Sequence, residues 1–133
     1  MAEIIISGPV FTGAAPLLID KACRDVELAV TAETKRRVKL LGQTSFRYDN
    51  VPAGHRPGYW LSQIRSHAVA DHHEVTDSGV IYGHWLEGIG SRNRTTRFKG
   101  YFMWRRTLQS MQRSGAMNIA VPIIERAVRA LNA

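Results

Sequence analysis

Pro16 to Leu41 reads as one long amphipathic helix, and that helix constrains the rest of the chain. Ile19, Ala22, Cys23, Val26, Val30, Val38 and Leu41 recur at mostly three- and four-residue spacing, so they share a face. Lys21, Arg24, Asp25, Glu27, Lys35, Arg36 and Lys39 fall largely elsewhere. Pro16 is tolerated in a first helical turn, where its missing N–H costs nothing. Asp20 lies near the positive end of the helix dipole, and Arg36, Arg37 and Lys39 near the negative end. Gly42 is the expected stop. Cys23, on the apolar face, reads as a small core residue.

The chain has 133 residues, enough for one domain spanning 1–133 and a core without staples. With Cys23 as the only cysteine, an intramolecular disulfide and a multi-cysteine zinc site are excluded. No apolar run approaches the roughly 20 residues of a bilayer span. The first eleven residues lack the basic region of a signal peptide. The expectation is a soluble protein made in a reducing cytoplasm, with no membrane partner.

Before the helix, residues 1–15 read as an arm. Glu3 to Ser7 is a short β-branched strand, broken by Gly8-Pro9 and by Gly13 to Pro16. Residues 43–65 read as a long turn-rich loop with two X-Pro bonds and four aromatics, Phe46, Tyr48, Tyr59 and Trp60. Ser66 to Val75 and Val80 to Glu87 read as the two strands of a hairpin, turning at Thr76 to Gly79. Residues 88–100 read as a basic loop. Tyr101 to Arg113 reads as a helix, with Phe98, Phe102, Leu108 and Met111 near one stripe. Asn118 to Leu131 follows as a last helix or a kinked continuation, with Pro122 near its start. The fold class is α+β: a small antiparallel sheet, a hairpin plus one or more strands, packed against the long N-terminal helix, with C-terminal helices.

The formal charge of +7 is not spread evenly. From Gly88 to Ile124 there is no acid, but seven bases: Arg92, Arg94, Arg97, Lys99, Arg105, Arg106 and Arg113. The rest of the chain balances eleven bases against eleven acids. Such a stretch suits an acidic protein face, a phosphate backbone, or simply a solvated surface. Arg92-Asn93-Arg94 with Arg97 and Lys99 is the part placed to touch phosphates, independently of sequence.

Catalytic chemistry finds few of its parts. His67, His72, His73 and His84 invite a metal reading with Asp71 or Glu74, but their spacing matches no standard motif. On one continuous strand His67 and His73 would face one way and His72 the other. No GxSxG, P-loop or GxGxxG occurs. The expectation is therefore no catalytic residue, no metal ligand and no cofactor.

Tyr82-Gly83-His84-Trp85-Leu86-Glu87-Gly88-Ile89-Gly90 is the most distinctive run. With Phe98-Lys99-Gly100-Tyr101-Phe102 after it and Arg56-Pro57-Gly58-Tyr59-Trp60-Leu61 before it, the chain resembles the tail-completion (head–tail joining, minor tail) proteins of long-tailed bacteriophages. Tyr82, Trp85, Glu87 and Gly88 carry the family motif. The threonine of the family's Pro-x-x-Thr-Gly-x-Leu segment is absent here, as is the proline-rich turn after the Glu-Gly pair. The resemblance implies a non-enzymatic virion protein of the tail or neck, assembled in the host cytoplasm. It implies a ring, expected to be a hexamer, that meets tail-tube, terminator or head–tail connector proteins around passing DNA. Arg92, Arg94, Arg97 and Lys99, with Ile4, Ile5 and Ile6 of the arm, are the candidates for inter-subunit or partner contact. The alternative is a small cytoplasmic nucleic-acid-binding protein using the basic loop.

Overall fold

A 31-residue helix, α2 (Ala15–Ser45), forms the spine of the structure. At 1.5 Å per residue it is about 46 Å long. The computed structural model describes residues 8–45 and 58–133. A single helical turn, α1 (Pro9–Thr12), precedes the spine and ends at Gly13. Thus the end of the expected arm is helical, while the strand expected at Glu3 to Ser7, with Ile4, Ile5 and Ile6, lies outside the described residues.

The spine runs four residues past its expected end. Gly42 does not stop it but lies buried inside it, where a Cβ would press on Leu61 and Trp60. It is a packing glycine, and the missing side chain lets α3 (Gly58–Gln63) approach. That helix falls within the expected loop 43–65, of which residues 46–57 lie outside the described residues. Tyr59 of α3 is exposed, whereas Trp60 is fully buried.

The hairpin lies earlier in the chain than expected. Strands β1 (Arg65–Val69) and β2 (His72–Thr76) both come from the run read as one strand. They pair antiparallel, with His67 opposite Glu74 and Val69 opposite His72. Ala70, at φ 51°, and Asp71 make the two-residue turn. The turn shifts the parity of every later side chain. His72 therefore joins the face of His67, and His73 points the other way, onto α2. Among the described residues this hairpin is the whole sheet.

Val80 to Glu87 is not a strand. Its second half is a short helix, α4 (Gly83–Glu87), whose buried residues Gly83, Leu86 and Glu87 follow helical spacing. A further turn, α5 (Arg92–Thr95), sits inside the expected basic loop. α6 (Met103–Ser110) then passes through one π-helical segment, Met111–Gly115, into α7 (Ala116–Leu131). The Ser114-Gly115 break is thus a bulge in one continuous rod. A Cβ on Gly115 would press on the Arg37 guanidinium, which donates to Ser110 Oγ at 3.0 Å.

The core sits at one end of the spine. Val38, Trp60, Ile64, Leu86 and Met103 are its buried members, with Trp104 packed edge-on to Trp60 at 6.4 Å between ring centroids. At the other end α2 meets α7, and there the apolar face stays open. Cys23 is consequently exposed rather than a core residue.

Candidate protein-interaction site

The motif residues are held by a long-range helix cap. Glu87, the last residue of α4, is almost wholly buried. Its carboxylate accepts the backbone N–H of Trp104 at Oε2 and of Arg105 at Oε1, both at 2.9 Å. Those amides belong to the first turn of α6, which has no partners for them within the helix. Capping normally comes from the residue just before a helix. Here that residue, Phe102, sits in the left-handed region at φ 54° and makes no side-chain cap. An acid at the positive end of the α6 dipole adds electrostatic attraction.

Two glycines let the strap around this cap close. Gly88 and Gly100 have φ of 97° and 110°, and their backbones touch. A Cβ on Gly88 would strike the carbonyl of Lys99, and one on Gly100 would strike Gly88 itself. Next to this contact, Tyr101 N–H donates to Leu86 C=O at 2.7 Å.

Asn93 ties the loop between them. It is buried, its Nδ2 donates to the carbonyls of Trp85 and Phe98, and its Oδ1 accepts the Gly90 N–H. It is therefore structural and does not point at phosphates. Sequence reasoning missed it because it stands between two arginines on an apparent basic loop. Lys99 is also engaged: its Nζ donates to the carbonyls of Asn93 and Arg94.

Upon this frame sits an exposed surface. Ile81 is 97% exposed, and Tyr82 and Trp85 are each 38% exposed. With Arg92 they line an open cavity of about 590 Å³. Burial pushes the Tyr82 phenol above its ordinary pKa of 10. Arg92, Arg94 and Arg97 are exposed alongside. Trp, Tyr and Arg around a pocket are the residue types that concentrate binding energy at protein interfaces. So the structure brings Tyr82, Trp85 and Arg92 together at one surface, and turns Glu87 and Gly88 inward against α6 and the Lys99-Gly100 backbone.

Of the histidines, His67 and His72 share the Glu74 carboxylate on one face of the hairpin, at 3.7 and 3.2 Å. His73 Nδ1 meets Glu27 Oε1 of α2 at 2.5 Å. His72 lies between Asp71 and Glu74, at 3.2 Å from each, and these acids raise its pKa above 6.5. His84 is in α4 and lines a pocket with Val75 and Thr76 of β2. Among the described residues no group of three or more His, Cys, Asp or Glu side chains is placed to hold a metal ion. No described helix is long and apolar enough to cross a membrane.

Comparison with protein-family models, with curated proteins and with solved structures gives no match.

Proposed function

We propose that the chain is a non-enzymatic structural protein of a tailed-phage virion, completing the tail or neck. In this reading it forms a ring, expected to be hexameric, that connects the tail tube to the head. The observation that supports it best is the construction around Glu87. Of the motif residues, Glu87 and Gly88 make a buried cap and a glycine strap, while Tyr82 and Trp85 stand exposed beside arginine. A rigid frame carrying an exposed contact patch suits a protein whose work is to be gripped by neighbours. Arg92 beside Ile81, Tyr82 and Trp85 favours a protein partner with an acidic rim over a bare phosphate backbone, which would need no apolar pocket.

Quantitative mass spectrometry of purified virions, normalised to the major tube protein, tests the placement. A handful of copies per particle is expected. Absence from the particle would overturn the reading, and retardation of DNA that fades steeply with salt would then favour the nucleic-acid alternative. Arg92→Glu with Arg94→Glu is expected to leave the monomer folded and to abolish head–tail joining. Unchanged infectivity of that double variant would remove the patch from the contact.

A further inference from the structure

α7 is apolar over more of its surface than its contact with α2 uses. At 100° per residue its apolar side chains cover an arc of about 200°. One side of that arc holds Ala120, Ile123, Ala127 and Ala130, buried or half-buried beside α2. The other side holds Met117, Val121, Ile124 and Val128, which are 61, 39, 48 and 47% exposed. Across the helix pair Ile19 and Cys23 of α2 extend the same surface, enclosing an open apolar groove of about 420 Å³.

We infer that this α2–α7 face is buried against the same face of a second copy of the chain. Three observations select that occupant. First, the exposed apolar side chains leave on the order of 500 Å² facing water, near the upper limit a lone subunit keeps. Two such faces with their polar margins reach roughly the 1,000 Å² of a specific interface.

Second, the charges along the margin nearly cancel. On the side of this face Asp20 and Arg24 of α2 sum to zero, as do Glu125 and Arg129 of α7, while Lys21, Asp25 and Arg126 line the groove on the other side of the helix pair. Two copies meet there with little repulsion, whereas the surface of Arg92, Arg94 and Arg97 would repel its own kind.

Third, the stripe has a palindromic spacing of four, three and four residues. Laid antiparallel about a two-fold axis, it sets Met117 against Val128 of the partner subunit and Val121 against Ile124 of the partner subunit. An isologous contact requires this self-complementarity. The result is a four-helix arrangement of two α2–α7 pairs. The pairing goes beyond the proposed virion role and does not depend on it: it describes the free chain, because a two-fold contact is not the heterologous contact that closes a single ring.

Sedimentation velocity over a concentration series tests the pairing on the full chain. The unaltered protein is expected to associate reversibly into dimers. Val121→Asp with Val128→Asp is expected to weaken association by about a hundredfold or more while circular dichroism stays unchanged, because isolated charges are strongly disfavoured in an apolar interface. A mixture of two separately tagged chains, Cys23→Ser with Val121→Cys and Cys23→Ser with Ile124→Cys, reads the geometry. Oxidation is expected to give the mixed covalent dimer in excess over either like pair. A chain that stays monomeric at its highest soluble concentration overturns the inference, including the case where deleting residues 1–7 then allows dimers. Dimers that survive the aspartates, or cross-link without preference, overturn the assignment to this face. Virion copy number is read separately, so failure of the pairing and failure of the virion reading are distinguishable.

Discussion

Glu87 closes a helix to which it does not belong, and its loss would be felt at a distance. Glu87→Ala leaves the Trp104 and Arg105 amides without their acceptors in a half-buried place. It is expected to lower stability by roughly 2–4 kcal/mol, and Glu87→Gln, which keeps one carbonyl, by about half as much. Urea denaturation with an unchanged m-value checks both, and a cost near zero for the alanine would contradict the cap. A second residue gives a pH signature. Glu33 accepts hydrogen bonds from Arg36 and Arg37, which lower its pKa from 4.5 to about 2. A carboxylate with a depressed folded pKa stabilises above the unfolded value, and that gain is lost as pH falls through the folded value. The advantage of the unaltered chain over Glu33→Gln is therefore expected to be full above pH 4.5 and to vanish on approaching pH 2. It is expected to be small, because Arg36 is largely exposed and the pairs lie on the helix surface. A stability difference that persists at pH 2 would show a different cause. Sequence marks Glu87 as a motif residue but hides its role, since the amides it caps lie 17 and 18 residues downstream.

Between elements, the strap from α4 to α6 is held by backbone approach, which no side-chain substitution can mimic. Gly88→Ala is expected to cost about 3 kcal/mol or more, from the collision with Lys99 and the positive φ together. Thermal unfolding measures it. A shift of only a degree or two would mean the strap can re-route. Element by element, legibility followed local signal strength. The spine was readable because its apolar spacing persists over many turns. The helical C-terminal part was readable for the same reason, and the β part of the α+β class from strand and turn signals. The hairpin was misplaced because Thr76 to Gly79 carries a stronger turn signal than Ala70-Asp71, although Asp71 there is 97% exposed in its side chain. That turn exists, but it leads from β2 toward α4 and not between strands. Tyr82, His84 and Leu86 also alternate, and in so short a run alternation and helical spacing overlap. A buried glutamate looked like the polar end of a strand.

The molecule as a whole is stabilised unevenly. Around Val38 the spine is enclosed by α3, α4 and α6, and near Cys23 it has α7 alone on its apolar side. Hydrogen exchange is expected to show strongly protected amides near Val38 and faster exchange near Ile19 to Cys23 in dilute protein. Protection at the open end is expected to rise with protein concentration as copies pair. Equal protection along the whole spine, at every concentration, would contradict this division. The one-ended core has a further consequence during synthesis. The spine leaves the ribosome before Trp60, Leu86 and Met103, and well before α7. A lone helix of its length is only marginally stable in water, and its apolar stripe waits uncovered. Nascent chains halted before α7 would expose that whole stripe, making them natural clients for chaperones and proteases, while the finished chain hides most of it.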